Sequence, residues 1–351
     1  MTFTKWFRRS RRRSAVGAVP EDASPAGASS PSFVLFEPGV SRARVNQPMK
    51  SLSRRKFIND SSLAMAGVAW SGAGFVKKKK APLLSFSTLG CPKWPLPDIL
   101  SFAAEHGYQG VELRGILGEL DLTKCREFSS ENIASTKKRV EDKQLRIVNL
   151  GSSAALHHAN GEKRRVNLDD AKRFIHLAQQ LGCPHVRVFP DAPPAELDRG
   201  ETIDLVSAGL VDLAAFAKGS GVDVLLESHG AFVETGDLLQ IMRNSERPQV
   251  GMVWDVVNMW SVTKEPPIQV YEQLGKYIRH THIKDARLTN GELRYVLLGQ
   301  GDAPIREAVK ALVRGKYEGF YCFEWEKLWH PDIEEPEIAL AHYPKEMRTY
   351  F

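Results

Sequence analysis

Acidic and imidazole side chains stand at the ends of the most apolar stretches of this chain. The stretch VDVLLESHG (222–230) carries Glu227 and His229 at its end, and VGMVWDVVN (250–258) carries Asp255 and Asn258. A buried carboxylate is costly unless it is paired or bound to a metal ion. We therefore expect these side chains to have either a structural partner or a chemical role.

Two further apolar stretches, IRHTHIKDA (278–286) and GFYCFEWEK (319–327), carry charged groups near their ends: His282, Lys284, Asp285, Glu324 and Glu326. Two glutamates, an aspartate and a histidine that meet at one place would form an oxygen-rich site with a single imidazole. Such a set suits Mn²⁺, Mg²⁺ or Co²⁺ better than an ion that prefers thiolates.

The elements that must position these groups are short apolar stretches that alternate with segments of helical period. The strand candidates cover 82–90, 110–115, 145–152, 185–191, 222–230, 250–258, 278–286 and 319–327. Helical patterns such as DLLQIMRN and PIREAVKALVRG lie between them; the latter places Ile305, Val309, Leu312 and Val313 on one face.

Apolar strands that alternate with helices predict a parallel sheet covered on both faces, and eight such repeats match a (β/α)8 barrel. A doubly wound open sheet is the alternative. It would favour a glycine-rich turn after the first strand, and STLGCPKWP is a poor one. We therefore predict an α/β fold, a (β/α)8 TIM barrel over 81–351, whose polar strand ends meet at the C-terminal mouth.

The positive charge of the chain is concentrated in its first part. Residues 1–80 hold 16 Lys/Arg and 4 Asp/Glu, whereas 81–351 hold 32 and 38, so the predicted barrel is mildly acidic. This distribution argues against a nucleic-acid-binding domain, which needs a basic face of its own. The four cysteines form no CxxC pair, which argues against a zinc ribbon or a redox motif.

The first 80 residues divide into two segments. Residues 1–48 are rich in Arg, Ser, Pro and Ala without apolar periodicity, and we interpret them as a disordered basic extension or a misassigned start. Residues 49–80 contain SRRKFI, with Arg54 and Arg55, followed by the uncharged run 61–76. This pattern is similar to a twin-arginine export signal. It predicts the twin-arginine export machinery as a partner and a protein that is periplasmic or anchored to the membrane through an uncleaved signal. A basic patch beside a nonspecific apolar run is the alternative.

The predicted barrel resembles the sugar phosphate isomerase/epimerase family, whose members are xylose isomerase-like TIM barrels. The resemblance is carried by GVELRG, LLESHG, VWDVVN, HTHIKD, LLGQGDAPI and FEWEKLWHP, in this order. It implies one divalent ion, Mn²⁺ first, with Co²⁺, Mg²⁺ or Zn²⁺ as alternatives. The ligands it implies are Glu227, Asp255, His282 and Glu324. It also implies a small-molecule sugar substrate, and because family members often form dimers, a homodimer is an expectation.

The family chemistry gives two of these ligands a second role. A divalent ion that bridges a carbonyl and an adjacent hydroxyl acidifies the neighbouring C–H bond and stabilises the ene-diolate. Glu227 and Glu324 would then be catalytic, one removing a proton and the other returning one, as in an isomerase or epimerase.

Three other activities stay open. A lyase or hydratase of keto-sugars or keto-glycosides would use the same metal and base, a noncatalytic barrel would only bind carbohydrate, and a metal-dependent endonuclease would need a basic groove. Export favours an unphosphorylated or keto sugar as substrate. Asn258 stands where some epimerases of the family carry a substrate-contacting histidine, so the sugar itself is left open.

Eight residues are candidates for contacting the substrate: His229, Asn258, Lys284, Arg287, Arg187, Glu112, His157 and Trp94. Each has a structural alternative, because histidines hydrogen-bond in cores, charges at a barrel mouth pair with one another, and aromatic residues pack. The segment LTNGELRYVLL predicts a hairpin turning at Asn290-Gly291. GQGD (299–302) is interpreted as a turn, because it does not follow a strand as a dinucleotide fingerprint does.

Overall fold

The structure is a computed structural model that describes residues 81–351. The predicted segments 1–48 and 49–80 lie outside the described residues and stay predictions. In the described part, no helix is both long enough and apolar enough to cross a membrane.

Eight parallel strands close into a barrel in the order β1-β10-β7-β6-β5-β4-β3-β2. Their bounds are β1 Leu83–Ser87, β2 Gly110–Leu113, β3 Arg146–Ala155, β4 His185–Phe189, β5 Asp223–Glu227, β6 Val250–Asp255, β7 Ile278–Ile283 and β10 Phe320–Phe323. Because β1 pairs with both β2 and β10, the sheet has no free edge. The predicted (β/α)8 barrel is confirmed, and the doubly wound open sheet is excluded.

Helices connect the strands and cover the outside of the barrel. Those in 81–351 are α1 Leu96–Glu105, α2 Ile133–Asp142, α3 Gly161–Leu181, α4 Arg199–Ala217, α5 Thr235–Asn244, α6 Val256–Thr263, α7 Pro267–Leu274, α8 Ile305–Arg314 and α9 Pro336–Met347. On α8 the predicted apolar face is buried at Ile305, Val309 and Leu312, whereas Val313 is half exposed.

Between β7 and α8 the chain forms the predicted hairpin. Strands β8 (Asp285–Thr289) and β9 (Glu292–Val296) pair antiparallel. Asn290 and Gly291 join them with φ of 52° and 80°. Two successive residues with positive φ are what a tight hairpin turn of the predicted kind requires.

One predicted strand is shorter than expected because a helix begins inside it. The stretch 250–258 was expected to be extended throughout, but β6 ends at Asp255 and α6 starts at Val256. The Asp255 carboxylate accepts a hydrogen bond from the backbone N–H of Asn258 at 2.8 Å. This is an N-cap, which favours the helical conformation for the residues that follow it.

The apolar core lies between the strands and the helices rather than along the barrel axis. Outward-facing strand residues such as Phe86, Val111 and Trp254 belong to one continuous apolar cluster with the helices. Inside the barrel lie fully buried polar groups, including Glu112 and His280, whose side chains meet across it. TIM barrels usually fill this space with branched apolar residues. The polar axis leads directly to the strand ends where the predicted site lies.

Candidate metal centre and active site

The four predicted metal ligands meet at the C-terminal mouth of the barrel. Glu227 and Asp255 end β5 and β6, His282 lies one residue before the end of β7, and Glu324 directly follows β10. All four are buried, and one donor atom from each lies within 4.8 Å of the donor atoms of the others. Four residues far apart in sequence thus form one cluster of three carboxylates and an imidazole.

His282 presents its two ring nitrogens to different partners. Nδ1 lies 3.2 Å from Oε1 of Glu227 and 3.1 Å from Oε1 of Glu324, while Nε2 lies 2.9 Å from Oε2 of Glu112. Because an ionised carboxylate can only accept, Nε2–H donates to Glu112. In the neutral ring, Nδ1 then carries a lone pair directed at two other ligands, which is the arrangement found around metal-bound histidines.

Glu112 lies in the barrel interior, below His282 rather than at the mouth. Its Oε2 also accepts from Nε2 of His280 at 3.0 Å and from Nδ2 of Asn149 at 2.9 Å, and the residue is 0% exposed. Burial would raise the pKa of Glu112, but His282 and His280 hold it well below its usual value. Glu112 therefore holds two histidines in place, and it would act on a substrate through these two rings.

Burial works in the opposite direction on the imidazole. It would lower the pKa of His282, but Glu112, Glu324 and Glu227 raise that pKa well above its usual value. The surrounding carboxylates thus outweigh the effect of burial and favour a positive charge at this position.

Lys284 lies between the carboxylates and belongs to the site. Its Nζ is 2.6 Å from Oδ2 of Asp255 and 2.7 Å from Oε2 of Glu324, and it also contacts Glu326. Burial would lower the pKa of Lys284, but these carboxylates raise it well above its usual value, so the group is an ammonium.

The two carboxylates beside Lys284 differ in pKa. Burial would also raise the pKa of Glu324, but His282 and Lys284 hold it well below its usual value. Burial raises the pKa of Asp255 to about 7 despite the attraction of Lys284. The surroundings therefore lower the pKa of one carboxylate and raise that of its neighbour.

The donor set fits a divalent cation. Oε2 of Glu227 lies 3.2 Å from Nε of Arg187, and Oδ2 of Asp255 lies beside Lys284. Neither oxygen has a well-aligned hydrogen-bond donor within 81–351, although both are buried. Carboxylate oxygens with free lone pairs and one imidazole are the ligands of Mn²⁺ and related ions.

His229 and Asn258, both predicted to contact substrate, lie close to the four ligands. Nδ1 of His229 is 3.0 Å from Oδ1 of Asp191, and its ring packs 4.4 Å from that of Phe189. Burial would lower the pKa of His229, but Asp191 and Glu227 raise it overall. The side chain of Asn258 donates to the carbonyl of Ser228 at 3.3 Å. Both side chains are therefore oriented by neighbours of the site.

Three other predicted residues have their contacts elsewhere in the described part of the chain. Arg287 is exposed on β8 and donates to the carbonyl of Gln300, Trp94 packs against Phe102, and His157 packs against His158. Their predicted contact with a substrate stays a prediction.

Sequence reasoning did not assign Arg114, Asn149, Asp191, His280 or Glu326 to the site. The two-residue alternation of strands was a signal for three of them. Arg114 follows Glu112 by two positions, His280 precedes His282 by two, and Glu326 follows Glu324 by two, so each shares a face with a residue that was singled out. No such signal existed for Asn149 and Asp191. The position of Asn149 depends on irregular pairing of β3, and that of Asp191 depends on a turn after β4.

Comparison with known proteins agrees with this geometry. The sequence profile described as xylose isomerase-like TIM barrel matches residues 100–344. The chain belongs to the xylose isomerase-like TIM barrel family. Within this family the chain is 23% identical over 262 residues to fructoselysine 3-epimerase of Shigella flexneri, covering 72% of this chain and 91% of that protein.

A second relative has a different activity. The chain is 23% identical over 195 residues to 3-dehydroshikimate dehydratase of Bacillus anthracis, covering 54% of this chain and 65% of that protein. Among solved structures, the IOLI protein with a bound zinc atom superposes with a TM-score of 0.66 at 18% identity. That match covers 76% of this chain and 97% of the other, and it supports the same barrel fold.

Proposed function

We propose that this protein is a divalent-metal-dependent sugar isomerase or epimerase that removes a proton next to a carbonyl. The observation that carries the proposal is the convergence of Glu227, Asp255, His282 and Glu324, with donor atoms within 4.8 Å of one another and all side chains buried. The relationship to an epimerase supports the reaction class. An unphosphorylated or keto sugar is the proposed substrate.

The four residues would hold the ion, and Mn²⁺ is the proposed metal because three carboxylates and one imidazole form a mainly oxygen donor set. When bound, the ion would acidify the C–H bond next to the substrate carbonyl and stabilise the charge of the ene-diolate. The zinc atom in the related IOLI structure supports a divalent ion in this family.

The proton transfers are assigned to the two glutamates. Glu227 and Glu324 approach His282 from two different strands, β5 and β10, and a sugar between them would expose one face to each. One carboxylate removes the proton and the other returns one, which inverts the carbon. Lys284 holds Glu324 and Asp255 in orientation through its ammonium group.

The first experiment is metal stoichiometry, measured by plasma mass spectrometry on the full chain. We expect about one Mn, Co, Mg or Zn per chain, lost in Glu227→Gln and in Asp255→Asn. Glu326→Gln is the matched control, because Glu326 contacts Lys284 but is not one of the four donors. Absence of metal after loading, or equal loss in the control, would contradict the assigned ligands.

The metal-loaded protein is then incubated with keto sugars in D₂O. An epimerase leaves deuterium at one carbon of the recovered sugar, and Glu324→Gln should abolish this exchange. Sugar binding that persists without any exchange would instead support a noncatalytic carbohydrate-binding barrel.

A keto-sugar lyase or hydratase is the second candidate. The ammonium of Lys284, 2.7 Å from Glu324, would be a proton donor for a leaving hydroxyl beside the base, and one relative is a dehydratase. Loss of water or of an aglycone, seen by mass spectrometry of the products, would favour this reaction over epimerisation.

We also propose export through the twin-arginine pathway, to the periplasm or to a membrane-anchored state. Arg54 and Arg55 followed by the uncharged run 61–76 are the basis. Replacing both with lysine should keep the protein in the cytoplasm, as measured by cell fractionation. Unchanged distribution of this double variant would contradict the proposal.

A further inference from the structure

Two arginines lie side by side at the mouth of the barrel. Arg114 follows β2 and Arg187 lies on β4, and both pass over Gly151 of the intervening β3. A Cβ atom at position 151 would lie 2.7 Å from Cδ of Arg114 and 2.7 Å from Nη2 of Arg187. The missing side chain of Gly151 therefore makes the space in which both arginines extend.

Several donors of this arginine pair have no hydrogen-bond acceptor within residues 81–351. A guanidinium group has five N–H donors. Within residues 81–351 the pair makes one hydrogen bond, from Nη2 of Arg114 to Oγ of Ser153 at 3.1 Å, and one ion pair, from Arg187 to Glu227. Nη1 of each arginine is buried without an acceptor. Buried charged donors without an acceptor cost free energy. An acceptor supplied by a bound ligand would therefore stabilise the two arginines.

The pair also holds two like charges close together. Arg114 is 6% exposed and Arg187 1% exposed. Burial, followed by the charge of Arg187, lowers the pKa of Arg114 to about 10, although Glu324, Glu227 and Glu112 oppose this. Arg114 is thus a cation at neutral pH. An anion placed against them would relieve the repulsion that burial strengthens.

The arginine pair lies next to one of the two proposed bases. Arg187 touches Glu227, one of the two proposed bases, and Arg114 reaches the exposed Ser153 at the rim. A ligand that contacts the arginine pair would therefore extend from the four-donor cluster towards the rim. A sugar that spans both would have its carbonyl at the cluster and a charged group at the arginine pair.

We propose that Arg114 and Arg187 form a carboxylate subsite, so that the substrate is an acidic keto sugar such as a ketohexuronate. This inference rests on the proposed function, since it names the substrate class of that same site. Two planar guanidinium groups match the planar, two-oxygen geometry of a carboxylate better than that of a hydroxyl. The carboxylate supplies hydrogen-bond acceptors that residues 81–351 do not provide to the pair.

The test compares two ligands that differ only at the terminal carbon. D-fructuronate and D-fructose are titrated calorimetrically into the metal-loaded full chain, with metal content measured on the same samples. D-fructuronate should bind at least tenfold more tightly than D-fructose. Arg114→Gln should reduce this preference roughly tenfold to a hundredfold, the range for a lost charged hydrogen bond. Arg114 has no direct contact with the four donors within 81–351, so this variant should retain its metal.

Arg243→Gln is the control, because it removes the same charge from an exposed arginine in the last turn of α5. The proposal is overturned if D-fructose binds as tightly as D-fructuronate, if neither binds at millimolar concentration, or if both arginine variants lose the preference equally. Tighter binding of D-fructose 6-phosphate would overturn the carboxylate in favour of a phosphate. Loss of metal from the wild type would instead contradict the proposed function, so the two failures are distinguishable.

Discussion

At the scale of single residues, Glu112 shows how one buried oxygen orders the side chains around it. Its Oε2 accepts hydrogen bonds from His282, His280 and Asn149, all between 2.9 and 3.0 Å. The bond to His282 assigns the proton to Nε2 and leaves Nδ1 directed towards Glu227 and Glu324. We infer that Glu112 acts on the proposed metal through the orientation of the imidazole.

Glu112→Gln should therefore weaken metal binding without removing a ligand. We expect a loss of roughly tenfold to a hundredfold in Mn²⁺ affinity, the usual effect of removing such a partner. Competition with a chelating dye measures it. Glu326→Gln serves as the comparison, because Glu326 has no contact with His282 among the described contacts. Unchanged affinity in Glu112→Gln would show that the imidazole is positioned without this hydrogen bond.

The role of Glu112 illustrates what the sequence could and could not predict about single residues. Its type and its place on β2 could be read from the sequence, and its predicted contact with a substrate stays a prediction. Which layer of the barrel it occupies depends on the stagger between neighbouring strands, and no local pattern reports that stagger. The predicted ligands Glu227, Asp255, His282 and Glu324 were easier to find, because a charged residue at the end of an apolar strand indicates the mouth of the barrel by itself.

At the scale of elements, one carboxylate joins the hairpin β8–β9 to the turn that follows it. Asp285 accepts backbone hydrogen bonds from Ala286 at 2.8 Å and from Gly299 and Gly301 at 2.9 Å. A Cβ atom at position 301 would lie only 2.0 Å from Oδ1 of Asp285, so glycine is required there. The segment GQGD, interpreted from the sequence as a turn, is thus the turn that Asp285 holds.

Asp285→Asn should destabilise the protein by about 2 kcal/mol, because an amide N–H₂ would replace an oxygen that faces N–H donors. Urea unfolding measures the change in the free energy of unfolding. Asp302→Asn is the matched change, since Asp302 is exposed and accepts one backbone bond, from Leu288. Equal effects of the two changes would refute a special role for Asp285.

Strand β3 offers a second prediction at this scale. Gly151→Ala places a methyl group against both arginines, so it should reduce the preference for D-fructuronate and lower the free energy of unfolding by about 1 to 3 kcal/mol, as overpacking does. Gly161→Ala, at a position with nothing within 4 Å of the added atom, controls for the mutation itself. A preference that survives Gly151→Ala would mean that the arginines do not need this space.

The chain of apolar strands and amphipathic helices made the barrel readable at the scale of the whole molecule, because the period and number of repeats depend on local sequence. The polar residues along the barrel axis could not be predicted from the sequence in the same way. His185 and His280 begin or continue apolar stretches and resemble core residues in sequence. Closure of the sheet brings their rings to 6.3 Å, beside a cavity of about 480 Å³ at the N-terminal end of the barrel.

The free energy of unfolding at acid pH should depend on the histidines in the barrel interior. Burial, followed by the charges of His280 and Arg279, lowers the pKa of His185 to about 3 in the folded protein. In the unfolded chain a histidine titrates near pH 6.5, so between these values the unfolded state binds more protons. Stability is then fully present above pH 6.5 and is lost as the pH falls towards 3.

From this single group we expect a loss of at most about 2 kcal/mol between pH 7 and pH 5. His185→Asn should flatten that part of the curve, measured by urea unfolding at each pH, whereas the exposed His176 replaced by asparagine should not. Parallel curves for wild type and His185→Asn would contradict the buried, neutral state of this ring.

The polar interior of the barrel also predicts how the protein tolerates variation. Since the continuous apolar cluster lies outside the strands, against the helices, substitutions there should be judged by side-chain volume. Inward positions such as Glu112 and His280 should be sensitive to substitution for a different reason, because a replacement there removes a hydrogen-bond donor or acceptor. A saturation scan of one strand should therefore alternate, residue by residue, between two substitution spectra: aliphatic exchange outside, and preservation of hydrogen-bonding capacity inside.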